Sequence, residues 1–211
     1  MIDQLPKGWQ ELTLAEAGNW CSGGTPSRKI ARYFGGDVPW IKSGDLNDGI
    51  VSSTEECITR EGLENSAAKL LPKGTVSVAM YGATIGRVGV FGIEAATNQA
   101  CANCRVAPTV DRWFLFYYLM SQREHFVRAG QGGAQPNISA TILRAWPFPR
   151  PNLDVQRDLV RKIELLFGAV AKLKERLNRA AQILGGAATT PVEAARIHQS
   201  ILMKAFAGEL A

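Results

Sequence analysis

Apolar residues recur along residues 152–184 at steps that alternate between four and three positions. From Leu159 the series continues through Ile163, Leu166, Val170, Leu173, Leu177, Ala180 and Leu184. A repeat of 3.5 residues predicts a helix with a narrow apolar stripe, the kind that packs lengthwise on another helix. At a rise of 1.5 Å per residue, about 30 residues make a rod of roughly 45 Å. Two interpretations remain open: the stripe contacts a partner helix, or the rod is a long core helix of its own domain.

The residues before this helix carry the shorter patterns of strands and turns. Residues 75–80 and 87–91 are rich in β-formers and flank a glycine-containing loop, which predicts a hairpin. Residues 100–106 predict a further strand. Residues 111–127 predict a helix with Asp111 as its N-cap and a broad aromatic face, which we expect to lie in the core.

Prolines at 147, 149 and 151 exclude helix and mark a boundary. We therefore predict an α/β (α+β) domain over residues 1–150 and a helical region over residues 151–211. Within the second region, Thr190-Pro191-Val192-Glu193 forms a capping box, which predicts a second helix to about Ala207. The connection is short enough for the two helices to fold back as a hairpin.

Glycine-rich polar loops are the other repeated feature of the first 150 residues. Ser22-Gly23-Gly24-Thr25-Pro26-Ser27 combines paired glycines with a proline, a pattern typical of a loop whose backbone approaches a neighbour closely. Arg28, Lys29 and Arg32 follow beside Tyr33 and Phe34. Such a basic, aromatic loop could reach phosphates and bases, or it could simply be a solvated loop.

Composition narrows the function class. Apolar residues make up 46% of the chain and the net charge is +5, so a core can form and a polyanionic partner is allowed but not required. No apolar run reaches the length of a membrane span and no signal pattern opens the chain, which favours the cytoplasm. Cys101 and Cys104 form a lone C-x-x-C inside a predicted strand, typical of buried reduced thiols rather than a metal site. With only two histidines and scattered carboxylates, a binding module is favoured over an enzyme.

Seven segments, taken in order, resemble the specificity subunit of type I restriction–modification systems. The resemblance spans nearly the whole chain and is carried by Ser22–Ser27, Pro39–Leu46, Leu70–Val76, Met80–Gly86, Ala96–Ala100, Gly132–Ser139 and Gln199–Leu210. Such subunits usually carry two tandem copies of a target recognition domain, each followed by a helical spacer, and this chain resembles one copy. It departs from the family at Gly185–Pro191, where the spacer helix more often continues.

The resemblance implies that residues 1–150 recognise DNA and that residues 151–211 form a spacer that dimerises. It implies no catalytic residue, metal or cofactor in this chain, because methylation and cleavage belong to partner subunits that use S-adenosylmethionine, ATP and Mg. The implied partners are double-stranded DNA, methyltransferase (modification) subunits and restriction subunits.

Reading bases requires amide, Arg or Lys side chains at base edges, and setting register requires cations and backbone amides at phosphates. The DNA-binding candidates are Ser22, Thr25, Arg28, Lys29, Lys42, Ser43, Tyr81, Thr84, Gln131, Gln135 and Asn137. The competing interpretation is that many of these glycine-flanked motifs hold the fold, since motifs shared by proteins with different targets are poor base readers. Phosphate contact is the role favoured for Arg28, Lys29 and Lys42.

The long helix supplies the spacing between two readers. The dimerisation candidates are Leu159, Ile163, Leu166, Val170, Leu173, Leu177 and Leu184. With one recognition copy per chain, we expect an antiparallel homodimer about a two-fold axis, and hence a target that is an interrupted palindrome. The alternative of a different class is a coiled-coil structural adaptor or regulator that does not read DNA.

Overall fold

The computed structural model describes residues 5–130, 137–184 and 191–210; the side chains of Leu184, Pro191 and Val192 lie outside this description. The chain divides into two compact units. The unit from Glu11 to Phe148 holds the candidate DNA-binding residues and is called the recognition unit after that prediction; the helical unit comprises the described residues of Met1–Gln10 and of Pro149–Ala211. The predicted fold class, an α+β region followed by a long helix, is confirmed.

In the part of the chain that the structure describes, ten strands form three sheets. Their bounds are β1 Gln10–Thr13, β2 Gly18–Ser22, β3 Phe34–Ile41, β4 Gly49–Val51, β5 Cys57–Ile58, β6 Val76–Ala79, β7 Val88–Phe91, β8 Ala96–Thr97, β9 Cys101–Val106 and β10 Pro147–Arg150. The largest sheet has the order β2-β9-β6-β7-β4, the second β5-β3-β8, and β1 pairs with β10. The hairpin predicted around residues 75–91 is β6 and β7, and the strand predicted at 100–106 is β9.

Six α-helices accompany the sheets within the described residues. They are α1 Arg60–Glu64, α2 Arg112–Ser121, α3 Arg123–Ala129, α4 Ala140–Arg144, α5 Leu153–Leu184 and α6 Pro191–Phe206. Within the described part of the chain, every helix is too short or too polar to cross a lipid bilayer.

The single aromatic helix predicted at residues 111–127 is two helices, because the helical conformation is interrupted at Gln122, between α2 and α3. Its start is as predicted: the Asp111 carboxylate accepts hydrogen bonds from the backbone N–H groups of Trp113 (2.8 Å) and Phe114 (3.2 Å). The aromatic face is core, as expected. The rings of Phe114 and Tyr118 pack edge-to-face on Phe148, which is fully buried, at centroid distances of 5.9 and 5.2 Å.

The helical unit is a pair of helices, α5 and α6, that pack on each other. The Asn152 side chain accepts from the Val155 backbone N–H at 3.0 Å and so caps the start of α5, which extends unbroken for 32 residues. Proline at the first position of α6 suits a helix start, since its missing N–H would have no partner there.

A Schellman motif ends α6 and explains the Ala207-Gly208-Glu209 part of the last family-like segment. The Glu209 N–H donates to the Lys204 carbonyl (3.0 Å), and the Gly208 N–H donates to the Ala205 carbonyl (3.1 Å). This geometry requires a left-handed backbone at Gly208, whose φ is +80°. A β-carbon there would also overlap the Pro6 ring, so glycine is needed for two reasons.

Candidate functional site

The loops that carry the DNA-binding candidates meet at one end of the sheets in the recognition unit. β9 runs antiparallel to both β2 and β6, with Ser22 opposite Ala102 and Ala79 opposite Cys101, so β2 and β6 end where β9 begins. The Asn98 N–H donates to the Ile41 carbonyl at 2.9 Å, which brings the end of β3 to the same place. Six candidates lie at or after the ends of these three strands: Ser22, Thr25, Lys42, Ser43, Tyr81 and Thr84.

Asn137 joins this group from a distant part of the chain. It forms an isolated antiparallel bridge with Tyr81, and the next residue, Ile138, donates its N–H to the Met80 carbonyl at 2.9 Å. The side chains of Tyr81 and Asn137 are both exposed, so they are available to a ligand. Gln131 and Gln135, the two other amide candidates, lie outside the described residues.

The paired glycines of the first loop have a structural role. A β-carbon at Gly23 would overlap the Asn98 carbonyl and the Thr97 hydroxyl, and one at Gly24 would overlap the backbone of Ala67 and Ala68. The indole of Trp40 donates to the Gly24 carbonyl at 3.0 Å. Three of the family-like segments therefore interlock here, and their glycines are required for the fold.

A buried polar network lies beneath the loops and was not anticipated from the sequence. The Asn103 amide donates to the Thr97 hydroxyl (2.8 Å) and to the Cys21 carbonyl (3.3 Å), and it accepts from the Ser77 hydroxyl (2.9 Å). Asn103, Thr97 and Ser77 are essentially inaccessible to solvent. Because each buried polar group has a partner, the network fixes the strand ends from which the loops emerge.

Arg28 is held in place from two sides. Its guanidinium forms a two-pronged ion pair with the Glu56 carboxylate, one contact being 3.0 Å, and lies over the rings of Phe34 and Trp40 at 4.3 and 5.1 Å. The hydrogen bonds from Arg28 hold the pKa of the Glu56 carboxyl below its usual range. In this structure the cation is therefore neutralised by a carboxylate.

Lys42 is engaged by the same acidic segment. Its ammonium lies 3.0 Å from a Glu55 oxygen and 3.6 Å from a Glu56 oxygen. The hydrogen bond to Glu55 raises the pKa of Lys42. By contrast, Lys29 is exposed and forms no ion pair with any residue that the structure describes. Glu55 and Glu56 were not singled out from the sequence, because no local pattern connects them to Arg28 and Lys42.

The cysteines offer no reactive thiol in the core. Burial raises the pKa of both Cys101 and Cys104 to about 12, so neither forms thiolate at neutral pH. Within residues 5–130, 137–184 and 191–210, no group of three or more His, Cys, Asp or Glu residues is arranged to hold a metal ion.

The dimerisation candidates on α5 fall into two groups. Leu159 and Ile163 are completely buried, near the point where the Lys162 ammonium donates to the Leu210 carbonyl at 2.7 Å. On α6, Leu202, Ala205 and Phe206 are buried as well. Leu159 and Ile163 are therefore excluded from the candidate interface, because they are buried in the core of this chain.

Three of the remaining candidates are open to solvent. Leu166, Leu173 and Leu177 are 38%, 57% and 48% exposed, and Val170 is half-buried. Leu184 lies at the end of α5, where its side chain is outside the described part. These three leucines and Val170 lie along one side of α5 and form an apolar strip that we call the distal seam (Leu166, Val170, Leu173 and Leu177). Such a strip is a candidate contact surface for another helix.

His198 lies in the contact between α5 and α6. Its ring stacks on Phe167 at a centroid distance of 4.1 Å, and its Nε2 is buried without a hydrogen-bond partner among the described residues. Burial lowers the pKa of His198, and the positive charge of Lys174 acts in the same direction.

We expect the helical unit to lose stability as the pH falls below about 6.5, the ordinary histidine pKa. The unfolded chain then binds a proton that the folded chain takes up only at lower pH, so acid favours unfolding. Hydrogen exchange of α6 between pH 7.5 and 5.5 measures this effect. A His198→Phe variant should lose this contribution to the pH dependence, and equal responses of the two proteins would contradict the assignment.

Comparison with known proteins places this arrangement in a family. Residues 6–181 match the family described as the type I restriction modification DNA specificity domain. The specificity subunit of the type I restriction enzyme EcoR124I/EcoR124II from Escherichia coli is 27% identical over 173 residues, which are 79% of this chain and 43% of that subunit. The MjaIX specificity subunit from Methanocaldococcus jannaschii is 28% identical over 163 residues, which are 75% of this chain and 38% of that protein.

Solved structures show the same fold. The crystal structure of the HsdS subunit from Thermoanaerobacter tengcongensis has a TM-score of 0.67 at 24% identity, covering 98% of this chain and 46% of that one. A chain from a study of complex assembly and conformational transition of the type I R-M system has a TM-score of 0.68 at 23% identity, covering 96% and 47%. This chain thus spans less than half the length of the relatives it matches.

Proposed function

Because the chain belongs to the type I restriction modification DNA specificity domain family, we propose that it is a non-catalytic subunit that reads DNA sequence. The family match over residues 6–181 carries the proposal. The structure supports it physically, since candidate loops from distant parts of the recognition unit gather at one end of the sheets. A surface built from several loops on a rigid sheet is suited to reading base edges and gripping phosphates.

The loop residues would have different tasks on the proposed DNA-binding surface. Tyr81 and Asn137 are exposed neighbours, and an asparagine amide can pair with adenine N6 and N7 in the major groove. Lys29 follows the glycine loop, forms no ion pair with any described residue, and suits a phosphate. Thr25 donates its hydroxyl to the Gln99 side chain, so its role in this arrangement is to order the loop.

Methylation and cleavage of DNA would be carried out by partner subunits. In this proposal the chain positions methyltransferase subunits, which use S-adenosylmethionine, and also restriction subunits, which use ATP and Mg, at the site that it reads. The complex would act in the cytoplasm.

Two copies of the chain would read two half-sites. The distal seam supports an antiparallel pairing of α5 with the α5 of a second copy. In this register, the numbers of two residues that face each other add up to 343. Leu166 then lies opposite the partner's Leu177, and Val170 lies opposite the partner's Leu173. A two-fold dimer of identical readers would recognise an interrupted palindrome.

Duplex binding tests the proposal. We expect the full chain, together with its methyltransferase subunit, to bind a duplex with an affinity that falls steeply with salt, because phosphate contacts release counterions. Fluorescence anisotropy between 50 and 300 mM salt, on a duplex of about 30 base pairs, measures the slope. An adaptor without a DNA role would show no salt-dependent contribution from this chain over the methyltransferase subunit alone.

A further inference from the structure

The acidic residues beside the reading loops suggest a control on DNA binding that the proposed function does not contain. Glu55 and Glu56 lie in the segment before β5, and between them they neutralise cations from two separate loops. Glu56 contacts both Arg28 and Lys42, which follow β2 and β3. One carboxylate thus occupies two groups that are candidates for phosphate contact.

The geometry shows that these ion pairs can be exchanged. The side chains of Arg28, Lys42, Glu55 and Glu56 are 54%, 32%, 79% and 28% exposed, so none of the pairs is sealed from solvent. Ion pairs that solvent reaches this freely contribute little to stability. A DNA phosphate can therefore replace either carboxylate at small cost.

Arg28 would remain in position after such an exchange. Its guanidinium is supported by the faces of Phe34 and Trp40, and Trp40 is buried and fixed by its hydrogen bond to Gly24. Stacking on an aromatic face leaves the edges of the guanidinium free to bind an oxyanion in the same plane. Removal of the carboxylate would expose a preorganised phosphate site rather than a mobile side chain.

We propose that Glu56, assisted by Glu55, is an internal competitor that occupies Arg28 and Lys42 in place of DNA phosphate and so weakens binding to any duplex. The inference rests on the proposed function. Non-specific binding depends almost wholly on phosphate contacts, so the competitor limits how long the protein stays on DNA whose bases it does not read.

The Glu56→Gln variant tests this role on a duplex of about 30 base pairs of unrelated sequence, with the full chain and its methyltransferase subunit. We expect affinity to rise about three- to tenfold at 50 mM salt. The plot of log K against log salt should steepen by about 1 to 2, because each added phosphate contact contributes about 0.9. Glu55→Gln should produce a smaller change in the same direction, through Lys42 alone.

Glu61→Gln is the matched control, and its duplex affinity and salt slope should match those of the wild type. It makes the same change in net charge and releases Arg32, whose ion pair with Glu61 (2.8 Å) is separate from the Glu56 cluster. If the role of Glu56 is purely structural, the Glu56→Gln variant will have a lower melting temperature and the salt slope of the wild type. If Glu56 reads a base, the variant will bind one particular sequence more weakly. Either result overturns the inference.

Failure of the proposed function has a different signature. If the wild-type chain adds no salt-dependent duplex binding to that of the methyltransferase subunit, the proposed function and the inference both fail. If the wild-type protein binds as expected and Glu56→Gln matches it in affinity and slope, only the inference fails. Should Glu56→Gln fold poorly, Glu55→Gln decides the matter, because Glu55 is 79% exposed and does not support the fold.

Discussion

Replacing Leu166 and Leu173 together with Glu is expected to convert a dimer of this chain into a monomer. Both side chains belong to the distal seam and are exposed, so the fold of the helical unit should survive. In the proposed dimer they are covered, and two uncompensated carboxylates per chain would then be buried. We expect the dissociation constant to rise at least about 100-fold, close to 3 kcal/mol.

Leu165→Glu is the control for this experiment. Leu165 is the neighbour of Leu166 on α5 but is 73% exposed and points away from the seam, about 100° around the helix. Its substitution should leave association unchanged. Sedimentation equilibrium at tens of micromolar measures all three proteins. A wild-type monomer at that concentration, or a double variant that still dimerises, would show that the distal seam is not an interface.

Gly24→Ala is expected to destabilise the recognition unit strongly. The added β-carbon would overlap the backbone of Ala67 and Ala68, and no side-chain rotation can relieve a clash with the main chain. We expect a loss of about 3 kcal/mol or more, at the upper end of overpacking effects. In a chain of this size that is a fall in melting temperature of roughly 6 to 12 °C, measurable by calorimetry.

Gly44→Ala gives the comparison for that loss. Gly44 lies in the short turn after β3, and a β-carbon there would have no neighbour within 4 Å. Its substitution should change stability by no more than about 0.5 kcal/mol. If Gly24→Ala proved as stable as Gly44→Ala, the interlocking of the first loop with residues 67–68 would be wrong, and a direct ligand role for that glycine would be favoured.

The elements with strong local signals were predictable from the sequence. The 3.5-residue repeat from Leu159 to Leu184 located most of α5 and its last residue, and the capping preference of Asp111 located the start of α2. The interruption at Gln122 was missed because no glycine or proline marks it in the sequence. The two parallel strand pairs, β3 with β8 and β4 with β7, were also missed, since β4, β7 and β8 have only two to four residues and are too short to show a period.

The candidate site was only half predictable, for a physical reason. The sequence identified which loops matter, but their charge state depends on contacts between residues distant in the chain. Arg28 and Glu56 are 28 positions apart, and nothing local indicates that they pair. Likewise, the apolar repeat of α5 could not show which residues face α6: Leu159 and Ile163 are buried in the chain, whereas Leu166 and Leu173 remain open.

If this chain reads DNA as a two-fold dimer, the DNA that its partner subunit methylates should carry the same symmetry. We would express the chain with its methyltransferase subunit and map methylated bases by single-molecule sequencing. The account predicts methylation on both strands of an interrupted palindrome, with two identical half-sites separated by a fixed number of unread base pairs. Methylation at two different half-sites, or at positions unaffected by exchanging the recognition unit for a relative's, would contradict it.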